Sequence, residues 1–96
     1  MKTILNYKQS PHFEERLNQR QIDPFLVSMC LVKGKVKTKK RNKIEFTLSQ
    51  EKIMEAIEQG YISIRDCIGL TSLTIVTRNN ILITAFAKFG DTGINN

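Results

Sequence analysis

His12, Arg16 and Arg20 stand four residues apart within the stretch Ser10 to Val32, SPHFEERLNQRQIDPFLVSMCLV. On an α-helix that spacing puts one imidazole and two guanidinium groups on a single face. An imidazole can trade a proton near neutral pH, and a guanidinium fork grips phosphate in a two-pronged geometry that an ammonium lacks. Such a set suits transesterification of an RNA phosphodiester. There a 2′-hydroxyl must lose its proton, the pentavalent phosphorane needs its charge stabilised, and the 5′-oxygen must leave. The same residues have plainer uses. A histidine near a helix start is often an exposed or packing residue, Arg16 can pair with Glu15, and Arg20 can pair with Asp23. Exposed ion pairs of that sort stabilise little.

The chain supplies a scaffold for the trio. Ser10-Pro11 is a helix start, because the serine oxygen can accept from an orphan amide while proline takes the first helical position. Phe13 and Leu17 form a separate apolar stripe on the same helix. Asp23-Pro24 starts a second helix in the same way, with Ile22 placed to staple onto Val27. Phe25, Leu26, Val27, Met29, Cys30, Leu31 and Val32 leave that helix almost no polar face, so it is expected to be largely buried. Gly34 suits its end, in the left-handed conformation glycine relaxes.

Next comes the densest charge in the chain. KGKVKTKKRNK carries Lys33, Lys35, Lys37, Lys39, Lys40, Arg41 and Lys43 with no acid among them. Read as a strand, it sends Lys35, Lys37 and Lys39 to one face and Val36 and Thr38 to the other. A turn around Lys40 to Asn42 returns the chain along Ile44, Phe46 and Leu48. Two readings stand. One is a solvated edge strand whose lysines discourage unwanted pairing. The other is a phosphate-binding ridge, since clustered like charges repel unless an anion is near.

Ser49 caps a third helix, with Leu48 and Ile53 as the staple, Glu51 in the first turn and Gly60 at the stop. Ile53, Met54 and Ile57 form its apolar face, with Met54 as core filling. Tyr61 to Gly69 fits either a strand or an irregular crossing. Tyr61 can stack on a base or serve as a half-buried structural residue. Leu73, Ile75 and Val76 lead to Asn79-Asn80, which tolerate the positive backbone angles of a tight hairpin, and Ile81 to Phe89 form the second strand. Alternation there separates Ile81, Ile83, Ala85, Ala87 and Phe89 from Leu82, Thr84, Phe86 and Lys88. Both sets are fairly apolar, which places the strand centrally in a sheet. Thr3 to Tyr7 reads as an edge strand or an ordered lead-in, and Gly90 to Asn96 as a frayed tail.

These elements make an α+β domain: two N-terminal helices packed on an antiparallel sheet of about four strands, with one further helix inserted between strands. Ninety-six residues suit one domain, ordered over about residues 3–89. The formal net charge of +6 favours a polyanionic partner. Cys30 and Cys67 lie in apolar runs, without a CxxC spacing and with a single histidine in the chain, so no metal or other cofactor is expected. They read as buried reduced thiols of a cytoplasmic protein. MKTILNYKQS, with no long apolar core and no small-residue cleavage site, reads as neither a signal peptide nor a membrane span. The sequence holds no Ser-His-Asp arrangement, phosphate loop or nucleotide fingerprint.

Ser10-x-His12-x-x-x-Arg16-x-x-x-Arg20-x-Ile22, followed by a second helix ending at Gly34, a lysine-rich strand and a final apolar hairpin with Thr84, resembles a family of small, mostly uncharacterised bacterial domains. That family is itself similar to the barnase, colicin and RelE-like ribonuclease toxins. The chain departs from the family pattern in carrying Gln21 where glycine is common, and in the helix from Ser49 to Gln59. The resemblance implies a metal-independent endoribonuclease, acting on RNA and restrained by an antitoxin or immunity protein. It also implies that Thr84 and Lys88, on the C-terminal strand, join His12, Arg16 and Arg20 in the active cleft. A non-catalytic RNA- or DNA-binding or regulatory protein on the same scaffold is the alternative.

Overall fold

The computed structural model describes residues 3–67 and 69–90, the side chain of Asp66 excepted. The elements run β1 (Thr3–Ile4), β2 (Tyr7–Gln9), α1 (Pro11–Arg20), α2 (Pro24–Lys33), β3 (Lys35–Thr38), β4 (Lys43–Ser49), α3 (Gln50–Glu58), a 3-10 turn (Ile64–Cys67), β5 (Leu70–Arg78) and β6 (Ile81–Phe89). The α+β class holds, but the sheet has six strands rather than about four, in the order β1-β2-β6-β5-β4-β3. It is mixed rather than antiparallel, because β2 pairs in parallel with the start of β6. The added strands, β1 and β2, are two and three residues long, too short to show a period in sequence. Tyr7 on β2 meets Phe46 on β4 edge to face at 6.2 Å, although β6 and β5 lie between those strands, so the sheet curls.

Local chemistry fixes the helix ends. Ser10 accepts from the Phe13 amide at 3.1 Å, Asp23 from Phe25 at 2.8 Å, and Ser49 from Lys52 at 3.3 Å. Helix α1 closes in a Schellman arrangement: Gln21 N–H donates to Asn18 O, and Ile22 N–H donates to Leu17 O at 3.0 Å. Gln21 takes the left-handed conformation there, at φ 52°. Leu17 and Ile22 are both buried, as the motif's apolar contact requires.

Gly34 corrects the expectation for α2. Its φ is −70°, extended rather than left-handed. A Cβ there would stand 2.4 Å from Cys30 O and 3.0 Å from Thr47 O, so close backbone approach is what demands glycine. Gly60 does take positive φ, 80°, after α3. Both hairpin turns carry two successive positive-φ residues, Arg41-Asn42 and Asn79-Asn80, which matches the twist of tight antiparallel hairpins.

The core lies between the sheet and the helices. Register aligns Phe46, Ile75 and Ala85 in one rung and Leu48, Leu73 and Ala87 in the next, against Phe13 and Leu17 of α1, Leu26, Val27 and Cys30 of α2, and Ile53 and Ala56 of α3. Burying a side chain of this size stabilises by about 1.5–3 kcal/mol. Two burial expectations fail. Met54 is exposed, and Ala56 takes the core position instead, one turn on from Ile53 on the same face of α3. Helix α2 is covered on one side only, so Phe25 and Val32 are exposed.

Strand β6 also departs from simple alternation. Val76 pairs with Thr84 while Thr77 pairs with Leu82, so Ile83 is an extra residue. This bulge shifts the phase: Leu82 joins Ala85 and Ala87 on the core side, and Ile81 joins Thr84, Phe86 and Lys88 on the outer face. Strand β6 is central only at its start, since β2 pairs with it at Ile81 and Leu82 alone. Within Tyr61 to Gly69 the described residues form an irregular crossing with a 3-10 turn at Ile64–Cys67 and no strand, Ile68 being outside the described residues. The expected frayed tail falls, beyond Gly90, outside the described residues too. Among the described residues no helix is long and apolar enough to cross a membrane.

Candidate nucleic-acid interface

The outer face of the sheet, opposite the core, gathers most of the basic residues singled out in sequence. Lys35 is directly opposite Thr47, Lys37 opposite Glu45, Lys43 opposite Arg78, and Lys88 opposite Ser72. Lys39 shares this face and approaches Glu45 at 4.0 Å. Glu45 is the one carboxylate among these rungs of the ladder. The remaining positions are polar or apolar without charge: Thr47 and Thr74 share a hydrogen bond at 3.2 Å, and Val76 is only 4% exposed beneath its neighbours. Phe86 stands next to Thr74 and is 51% exposed. An aromatic ring exposed on a charged sheet face can stack against an unpaired base.

At one end of this face Lys39, Lys40, Arg41, Lys43, Glu45 and Arg78 line a cleft of about 490 Å³. The β3–β4 turn swings Lys40 and Arg41 over it, and β5 contributes Arg78 just before its own turn. Lys43 and Arg78 form a like-charge cross-strand pair, which is destabilising for a sheet standing alone. Five cations around one acid make the region strongly positive, which suits phosphate groups chemically.

Helix α1 carries the other set. Ser10 N–H donates to Leu82 O at 3.1 Å and its hydroxyl to Ile83 O at 3.2 Å, which ties the start of α1 to the bulge of β6. From there α1 runs alongside β6 to Arg20, which lines a cleft with Phe89. His12 and Arg20 are exposed and Arg16 half-buried. Among the described residues neither arginine forms an ion pair, and the Asp23 carboxylate is engaged by the Phe25 amide. Thr84 and Lys88 lie on the neighbouring strand's outer face, and the buried Thr84 hydroxyl has no hydrogen-bond partner among the described residues.

The structure does not join the two sets into one cluster. Strands β5 and β4 separate β6 from β3, so the α1 edge and the lysine edge are about 14 Å apart at ordinary strand spacing. Lys88 is the basic residue of the outer face on the His12 side. Lys33 and Tyr61 lie elsewhere again. Both line a shallow groove on the helical side with Phe25 and Val32, where the Tyr61 and Phe25 rings are 6.1 Å apart.

Arg78 and Phe86 were not singled out in sequence, and both depend on register. Arg78 is recognisable as the residue before the Asn79-Asn80 turn, opposite the end of the lysine strand. Phe86 gives no sequence signal of its exposure. Cys30 is buried, and its thiol donates to Phe46 O at 3.2 Å and to Leu73 O at 3.5 Å. Burial pushes it up to about 12, so it offers no nucleophile. Among the described residues no group of His, Cys, Asp and Glu could hold a metal ion. Comparison with protein-family models, with curated proteins and with solved structures gives no match.

Proposed function

We propose that this chain binds single-stranded RNA across the outer face of its sheet. The observation that carries the proposal is the composition of that face: Lys35, Lys37, Lys39, Lys43, Arg78 and Lys88 against the single acid Glu45, with Phe86 exposed among them. Phosphates neutralise the cations, releasing counterions, while a base stacks on the phenyl ring. A single strand suits the site better than a duplex, because only unpaired bases offer their faces to Phe86.

A second reading adds cleavage. It is favoured by the α1 stripe, where His12 is exposed beside Arg16 and Arg20 and neither arginine has an ion-pair partner among the described residues. In this reading His12 takes the proton of a 2′-hydroxyl and the arginines stabilise the phosphorane. The 5′-oxygen leaves with a proton from water, His12 returns its own to solvent, and the products are a 2′,3′-cyclic phosphate and a free 5′-hydroxyl. An enzyme of that kind is a metal-independent endoribonuclease of toxin type, acting in the cytoplasm and held in check by an antitoxin or immunity protein.

Labelled single-stranded RNA incubated with the protein in EDTA tests both readings. Binding is expected to weaken steeply as salt rises and to fall on Phe86→Ala. Salt-independent binding refutes the sheet-face proposal. Cleavage that is lost in His12→Ala and Arg16→Ala supports the second reading, and binding without cleavage removes it.

A further inference from the structure

A second cationic site lies on the opposite side of β6 from the sheet face. The end of α1, the 3-10 turn and the last residue of β6 enclose a cleft of about 270 Å³. Arg20 and Arg65 both line it, with Gln21 beside them. Its floor is apolar, made by Ile22, Leu26 and Leu70, all buried. Phe89 stands at its edge, 51% exposed. Helix α1 directs its negative end toward this region, but the Leu17 and Asn18 carbonyls there already accept from Ile22 and Gln21. Arg20 and Arg65 bring two positive forks to the cleft, and Phe89 an aromatic face.

We propose that this cleft binds a phosphate monoester carrying a nucleobase, that is, one nucleoside monophosphate unit. Two guanidinium groups supply in-plane donors for a dianionic phosphate, which a lone cation cannot match. The Phe89 ring gives the base a surface to stack on. The volume is close to the lower end of small-molecule sites, about 300 Å³, which suits one nucleotide and not a longer strand. A monoester occurs at either end of a cleaved strand, as a 5′- or a 3′-phosphate, and the cleft chemistry is common to both. The proposal rests on Arg20, Arg65 and Phe89, and is independent of the lysines of the outer face.

Isothermal titration calorimetry of the full chain, with 5′- and 3′-nucleoside monophosphates, the parent nucleosides and inorganic phosphate, tests it. The monophosphates are expected to bind at least tenfold more tightly than nucleosides or inorganic phosphate, and a preference between 5′ and 3′ names the strand end. Arg65→Gln is expected to cost at least tenfold. Phe89→Ala is expected to remove the margin of nucleotide over inorganic phosphate. Both substituted residues are exposed, and a thermal melt of each variant checks that it folds. Absence of heat with every monophosphate overturns the proposal, as does equal affinity in Arg65→Gln. Arg78→Glu separates the two sites: it is expected to weaken RNA binding on the sheet and to leave monophosphate affinity unchanged.

Discussion

Replacing Arg78 by glutamate should make the fold more stable and the RNA complex weaker. Arg78 faces Lys43 directly across the β4–β5 ladder, at a Cβ separation of roughly 5 Å for opposed residues. Two like unit charges at that distance in water repel by about 0.8 kcal/mol, so reversing one sign changes the pair by about 1.6 kcal/mol. Salt and side-chain freedom reduce this to about 1 kcal/mol for an exposed pair. In a domain of this size that raises the thermal midpoint by about 4–8 °C. The RNA complex moves the other way. Each phosphate contact on a single strand contributes a slope of about −0.7 in log K against log salt, so losing one costs about fivefold near 0.1 M salt. The new carboxylate adds repulsion to that loss. Fluorescence anisotropy across a salt series, beside a calorimetric melt, reads both quantities. Lys52→Gln is the control, since Lys52 is on α3 and pairs with Glu55 at 3.7 Å. A less stable Arg78→Glu protein refutes the charge-pair argument, and unaltered RNA affinity refutes the placement of the strand over this cleft.

Other consequences are as direct. Gln21→Gly should stabilise by about 0.5–1 kcal/mol, read in urea melts, because a left-handed residue at a Schellman cap favours glycine. Gly34→Ala should destabilise by about 2–3 kcal/mol, since its Cβ meets two backbone carbonyls that cannot turn aside. Gly60→Ala, at φ 80° with open space around it, should cost only about 1 kcal/mol in the same assay. Cys30 holds its proton more tightly when folded than the ordinary thiol value of 9.0, with its folded value raised to about 12. Its contribution is therefore complete below pH 9 and is lost as pH rises through 12. Urea melts across that window should show a fall that Cys30→Ala lacks, and an equal fall in the variant contradicts the assignment.

What the sequence reveals of this protein follows from how far apart the cooperating residues are. The caps at Ser10, Asp23 and Ser49 and the Asn79-Asn80 turn act within a few positions of themselves, so they are legible. The alternation that exposes Lys35 and Lys37 is equally local. Strand β2 is not, because it is three residues long and its partner is near the other end of the chain. The bulge at Ile83 is invisible for a different reason: alternating apolar residues satisfy either phase, and only the paired strand selects one. The candidate site inherits these limits. His12, Arg16 and Arg20 can be assigned to one stripe from spacing, and the lysines to one ridge. Their separation by two strands emerges only from strand order. Arg65 lies in the segment whose periodicity decides nothing, so its approach to Arg20 leaves no trace in the sequence.

The surplus residue of β6 has a consequence for how the histidine is aimed. Ile83 turns its carbonyl to the Ser10 hydroxyl, and Ser10 in turn begins the helix that carries His12. A chain shortened by that one isoleucine would keep a regular ladder, the same faces and the same interior, with the Ser10 amide still bonded to Leu82, yet lose the carbonyl that takes the Ser10 hydroxyl. One of the two bonds that moor the histidine's helix thus comes from slack in a strand it never belongs to.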